Sequence, residues 1–470
     1  MNERNPFALE TTLSMLLENK KYASLRDVLS TMNPSDIAEV FGKMEPNTLP
    51  LLFRLLPKEL AAETFVEMDS ENQELLIRGF SDSELREVLD ELYVDDAVDI
   101  VEEMPANVVQ RILSAAAPDM RKDINNLLRY PEDSAGSMMT TEYVSLRTGM
   151  TVGDAITHIR RTGVDKETIY TCYVTSERTL IGTVSVKSLL LAQDDAVPVT
   201  DIMETNVISV FTQTDKEEVA QMFSKYNFLA LPVVDAEGRI VGIITFDDAM
   251  DVMESAATED IEIMGGMTPS DKTYLKSSPV DLFKHRIPWL LLLMVSATFT
   301  GMILNVFEEK LQAVVVLTIF IPMLMDTGGN SGSQSSVTVI RALSLGEIEF
   351  PDILRVIWKE IRAAVLCGLV LSVACFGKIM LVDRLLMNNP AVTPIVGLAV
   401  CLTMVVTVCV AKIIGCTLPM IAKKLGFDPA VMASPFITTI VDAISKNYWS
   451  LTLVFVCFII KKIWEYGELD

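Results

Sequence analysis

The sequence predicts a multidomain α-helical membrane protein. It combines a cytosolic α-helical superhelix (1–130), a tandem pair of α/β modules (131–199 and 200–256), a connecting helix (257–284) and a transmembrane domain of five helices (285–470). Three observations carry that prediction. Charge is partitioned: residues 1–280 hold 24 Lys+Arg and 49 Asp+Glu, a net of −25, whereas residues 281–470 hold 15 and 14, a net of +1. A 12-residue apolar repeat runs through the acidic half. Apolar runs of about 20 residues, the length that crosses a bilayer, begin only at Ile287. A hydrophobic fraction of 50% and a formal charge of −24 over 470 residues rarely meet in one soluble domain.

The charge balance also excludes partners. So acidic a head repels phosphate backbones and concentrates cations, which rules against nucleic acid. The start, MNERNPFALE, has no apolar signal core, so the N-terminal domains are expected in the cytoplasm and the chain in the plasma (inner) membrane as a multi-pass protein. Seven cysteines without CxxC spacing support neither a disulfide framework nor a zinc site. Two histidines, His158 and His285, exclude HExxH chemistry. With no P-loop, nucleophile–base arrangement or catalytic carboxylate pair, the sequence does not read as an enzyme.

In the superhelix, Met44, Leu56, Met68, Phe80, Leu92 and Met104 recur every 12 positions, each preceded at four residues by Val40, Leu52, Thr64, Leu76, Val88 or Ile100. This i, i+4 spacing on short helices, with Pro57, Ser81 and Pro105 at the joints, predicts stacked units that bury their apolar faces against neighbours. Outward positions carry Glu84, Glu87, Asp90, Glu91, Asp95, Asp96, Asp99, Glu102 and Glu103. Asp95 and Asp99 lie one turn apart on one face, a repulsive pair unless a cation or partner offsets it. A solvated face is the default reading.

The modules match each other: MTTEYVSL (139–146) with METNVISV (203–210), and LIGTVSVKSLL (180–190) with IVGIITFDDAM (240–250). Each reads as a short strand, a helix and a strand pair closing on Gly182 or Gly242. The pattern resembles tandem CBS modules. In that family a Thr-x-x-Asp after the last strand can hold a nucleotide ribose, which here is Thr245 and Asp248, while the first module has Ser185 and Ser188; ATP is the nucleotide this implies. The following FDDAMDVMESAATEDIEIMGG places Asp247, Asp251 and Glu254 on one helical stripe, with Asp248, Glu259 and Asp260 close by. Such a carboxylate surface suits a hard divalent cation, which prefers oxygen ligands. The alternative is a soluble amphipathic helix.

Five spans are predicted at about 287–307, 314–341, 361–382, 392–418 and 430–460. Basic residues favour the side that this topology assigns to the cytoplasm: Lys284, Arg286, Arg341, Arg355, Lys359, Arg362, Lys423 and Lys424, against Lys310, Arg384, Lys461 and Lys462 outside. The second span carries GGNSGSQ (328–334), polar groups that lipid cannot satisfy. Gly328 and Gly332 form a GxxxG, which serves close helix packing; Asn330 and Gln334 add oxygens that packing does not need, which favours pore lining. Asp442 in the fifth span is an intramembrane carboxylate and hence a functional candidate. Lys446, one turn on, is placed to neutralise it or to pair with Asp326. Lys378 and Lys412 lie nearer span ends and are expected to snorkel.

This order of domains, with GGNSGSQ in span two and DPAVMASPFITTIVD (428–442) leading into span five, resembles the MgtE family of magnesium channels and transporters over nearly the whole chain. The resemblance implies a homodimer with its pore on the two-fold axis, built from the second and fifth spans. The family's pore aspartate falls on Asp442, with Thr438 and Ser434 one and two turns before it, and Asn330 and Gln334 carry the span-two signature. It further implies that cytosolic Mg²⁺, bound among Asp95, Asp99 and the Asp247–Asp260 carboxylates, holds the pore shut. Lys446 and Asn447 depart from the apolar residues usual after that aspartate. Two other readings stay open: a membrane-anchored Mg²⁺ or nucleotide sensor with little conduction, and a broader divalent channel passing Co²⁺ or Mn²⁺.

Overall fold

The computed structural model describes residues 6–270, 274–275, 277–312, 315–433 and 436–441. It divides into two compact units, Met1–Met253 and Glu254–Asp470.

In the first unit the 12-residue repeat becomes a helical stack. Successive helices begin at Lys58, Ser70, Asp82, Val94, Ala106 and Pro118, twelve residues apart. The repeat positions are the core: Leu52, Thr64, Leu76, Val88 and Ile100 are buried, as are Met68, Phe80, Leu92 and Met104. Each joint stops one helix and starts the next. Pro57 and Pro105 precede helices without needing an N–H donor, and Ser81 forms a capping box with Glu84. Glu84 also binds Arg54 at 2.7 Å. Phe53, Phe65 and Phe80 cluster with ring centroids 5.3–6.4 Å apart.

The tandem modules form two sheets of like topology. In the first, β1 (Tyr143–Arg147) pairs in parallel with β2 (Thr168–Ser176), which pairs antiparallel with β3 (Thr179–Ser185). In the second, β4 (Val210–Phe211), β5 (Ala230–Val234) and β6 (Ile240–Thr245) repeat that order. The opening segment of each repeat crosses to the other sheet: Thr140 bridges Ile243, and Glu204 bridges Thr183. Gly242 and Gly182 permit this, because a Cβ there would fall 2.7 Å from Met139 Sδ and 2.6 Å from Met203 Sδ. The modules thus interlock at both glycines.

The connecting element differs from the expected 257–284 helix. A helix runs Phe246–Met264 directly from β6 and ends at Gly265–Gly266, where Gly266 takes φ +72°, a conformation that favours glycine. The next helix begins at Pro279.

The second unit holds the helices Pro279–Gln312, Ile321–Ser344, Ile353–Lys378 (continuing as π-helix Ile379–Leu386) and Pro394–Lys424. Two segments, Phe350–Leu386 and Pro394–Lys424, are long and apolar enough to cross a membrane by themselves. Of the expected fifth span, residues 430–433 close a short turn, residues 436–441 are helical, and 434–435 and 442–460 lie outside the described residues. The Ile321–Ser344 and Pro394–Lys424 helices approach at their backbones: a Cβ on Gly415 would run into the Gly332 carbonyl. Gly332 therefore does serve close packing. Lys412 does not snorkel. It is buried, with Nζ 3.1 Å from Ser335 Oγ and 3.6 Å from Glu360 Oε2. Lys378 is also engaged, 2.9 Å from Asp383 Oδ2.

Candidate functional site

The first unit gathers carboxylates from four segments. The Val94–Glu103 helix brings Asp95, Asp96 and Asp99, the segment before β1 brings Glu142, the turn before β2 brings Glu167, and the Phe246–Met264 helix brings Asp247 and Asp248. One oxygen each of Asp95, Glu142 and Glu167 lie within 4.8 Å of one another. The Glu167 N–H donates to the Glu142 carbonyl at 3.0 Å, fixing those two side by side. Asp95 is 8% exposed, and its Oδ1, like Glu167 Oε2, is buried without a hydrogen-bond partner among the described residues. Such oxygens are costly unless a cation or proton satisfies them.

Electrostatics point the same way. Burial, then the charges of Asp248 and Asp96, hold the Asp95 carboxyl well above the usual range. Burial and Asp248 push Asp96 and Asp99 up to about 7, and burial and Asp96 push Glu167 up to about 8. Asp248 rises to about 6 through burial, against a 2.6 Å hydrogen bond from Thr245 Oγ1. The cluster is an acceptor of positive charge, and three oxygens around one point form an open oxygen set for a hard cation.

A pH prediction follows. These carboxyls bind protons more tightly folded than unfolded, where they titrate near about 4. The folded head binds more protons, so its stability falls as pH rises through the range 6 to 8, and the contribution is fully present below about 4. Without divalent cations, amide exchange in Val94–Glu103, corrected for its intrinsic pH dependence, should quicken severalfold between pH 6 and 8. Equal protection at both values contradicts this.

The structure sorts the predicted carboxylates. Asp95, Asp99, Asp247 and Asp248 belong to this centre, and Asp251 adds its charge beside Asp248. Asp260 lies in the second unit, where it accepts from Ser344 Oγ at 3.1 Å and is raised by burial and by Asp428. Glu254 and Glu259 are exposed on the same helix. Asp96, not singled out as a ligand, and Glu142 and Glu167 complete the centre.

The repeat clarifies the nucleotide expectation. Ser185, Ser188 and Asn206 line a cleft of about 370 Å³ with Asn227 and Phe228, and their repeat counterparts are Thr245, Asp248 and Glu142. Thr245 and Asp248 do not line that cleft; they sit among carboxylates. The two equivalent positions have thus diverged, one neutral and one acidic.

On the membrane side, Asn330 and Gln334 line a cavity of about 610 Å³. Thr438 packs on the Ile321–Ser344 helix, its Cγ2 2.8 Å from where a Cβ on Gly329 would stand. Ser434, Asp442, Lys446 and Asn447 lie outside the described residues.

Comparison with known proteins matches these parts in order. The MgtE intracellular N domain matches residues 32–133, CBS domains match 135–195 and 199–255, and a divalent cation transporter domain matches 321–448. The magnesium transporter MgtE of Thermus thermophilus is 38% identical over 92% of this chain and 95% of its own length. That of Bacillus subtilis is 32% identical over 94% and 96%. A solved structure of the soluble part of a magnesium transporter is 29% identical, covers 54% of this chain and all of its own, and superposes with a TM-score of 0.50. Matched along nearly their full length by relatives at these identities, with the same three kinds of domain in sequence, the chain belongs to the MgtE family of magnesium transporters.

Proposed function

We propose that this chain imports Mg²⁺ across the plasma membrane as a homodimer, and that Mg²⁺ bound at the acidic centre of its cytosolic head closes the path. The observation that carries the gating half is the convergence of Asp95, Glu142 and Glu167, with Asp95 Oδ1 and Glu167 Oε2 buried and lacking a hydrogen-bond partner among the described residues. Empty, the centre's carboxylates repel and favour a splayed head; a bridging cation favours a compact one, and the population follows whichever state binds the ion. A filled cell thereby shuts its own entry path.

The transport half rests on the family and on the polar stripe of the Ile321–Ser344 helix. Asp326, Asn330 and Gln334 are exposed on one chain, and a bilayer cannot satisfy them, so water or a second copy must meet them. With Asp442 as the intramembrane carboxylate, Thr438 and Ser434 before it, and five spans, two copies give a wide site for a hydrated ion. Mg²⁺ dehydrates reluctantly, so a path that keeps its water is the economical one. Asp260 and the exposed Glu254 and Glu259 form a further cation-sensing stretch on the same connecting helix. Of the two module clefts, the neutral one at Ser185 and Ser188 is the place for ATP, because triphosphate at Thr245 and Asp248 would meet like charge.

The test is ion influx into proteoliposomes holding the full chain. Mg²⁺ influx favoured over Ca²⁺, Mn²⁺ and Co²⁺ supports this reading. Comparable influx of those ions selects the broader divalent channel, and no influx from folded protein selects the sensor.

A further inference from the structure

We propose that Asp326 is a cation-binding residue of the transport path, a second carboxylate stop separate from Asp442. The inference rests on the reading that this chain conducts Mg²⁺. Asp326, Asn330 and Gln334 stand at i, i+4 and i+8 on the Ile321–Ser344 helix, one stripe climbing about 12 Å. All three are exposed, and all three line the same cavity of about 610 Å³ in the second unit. Its opposite wall is apolar, with Leu366 and Val370 of the Ile353–Lys378 helix. One face of the cavity thus offers a ladder of oxygens and the other offers none.

Lys412 also reaches this cavity, and a free ammonium there would repel a cation. It is held instead by Glu360 and Ser335, while Ser335 Oγ donates to Glu360 Oε2 at 2.5 Å. Lys412 and Glu360 cancel. Asp326 makes no ion pair among the described residues, so of the described side chains lining the cavity it is the one whose charge is left uncancelled. A carboxylate in a membrane-spanning segment is expensive unless it serves an ion or a partner. Neighbouring amide and hydroxyl oxygens let it hold Mg²⁺ through that ion's own water.

The experiment is Mg²⁺ influx against external Mg²⁺ for reconstituted full-length wild type, Asp326→Asn and Asp326→Glu. Losing one charge near a divalent ion should raise the half-saturating concentration about tenfold, with a smaller effect on maximal influx. Asp326→Glu should recover most of the shift, which a merely structural role does not predict. An unshifted half-saturation in Asp326→Asn overturns the proposal alone, and so does lost maximal influx at wild-type half-saturation, the pattern of a structural pair such as Asp326 with Lys446. A wild type without influx sinks the transport reading and this proposal with it.

Discussion

The triple variant Asp95→Asn, Asp96→Asn, Glu167→Gln is expected to keep importing Mg²⁺ at head-side concentrations that shut the wild type. Its influx at millimolar head-side Mg²⁺ should exceed that of the wild type at least about tenfold. The reason is differential binding: a ligand shifts a two-state equilibrium only through its preference for one state, and a near-complete shift needs a preference of about 10⁴-fold. Three of the centre's carboxylates supply that preference, and their amides keep shape while losing charge. Unfolding does not explain such a result, because neutral groups escape the burial cost and the repulsion that together raise these pKa values. Head stability should therefore rise, and its slope between pH 6 and 8 should shrink to what Asp99 and Asp248 still contribute. Closure retained at the wild-type Mg²⁺ concentration places the sensor elsewhere, with Asp260 and Asp428 the next residues to change. A variant shut at every concentration contradicts the bridging account, since repulsion alone would then hold the path open.

Asp442→Ala is expected to reduce Mg²⁺ influx to background in protein that still folds and still responds to Mg²⁺ at its head. In the proposed fifth span, rich in apolar residues, a carboxylate would carry a cost that only function or pairing offsets. In a homodimer the change removes two negative charges from one ion site and leaves Lys446, one turn on, with less to balance it. Asp442→Glu should retain measurable influx because charge survives while reach changes. Normal influx through Asp442→Ala would move the ion site to other oxygens of the path, Asp326 first.

Much of this architecture is legible in the residues. The 12-residue spacing marked helix units because a stacked helix-turn repeat has to return the same face to the core each time, and helices do start at 12-residue intervals. The two modules were visible as repeats, each with a strand pair closing on Gly182 or Gly242. What the repeat did not disclose was the crossing of Thr140 and Glu204 to the opposite sheets, which depends on how two similar sheets dock. Asp95 stood on the outward face of a short helix and read by default as solvated. In the fold it is buried and meets Glu142 and Glu167, which come from the first tandem module. One signal for Glu142 was present: it replaces Asn206 of the other repeat, so a neutral position turned acidic. Lys412 was misread because its partner Glu360 lies on another helix, and sequence spacing says nothing about charge pairs across helices. The connecting helix was placed too late because no break separates Thr245 from Met264, whereas Gly265 and Gly266 give a clear stop.

The central claim is that one ion is both cargo and brake. Mg²⁺ influx into proteoliposomes of the wild-type chain, with head-side Mg²⁺ stepped from micromolar to about 10 mM, tests it most directly. The account predicts influx that is high at the low end and falls to near background across the millimolar range, well within what binding at an oxygen-lined carboxylate site can produce. Influx that stays constant across the whole range, in protein shown to be folded, contradicts it.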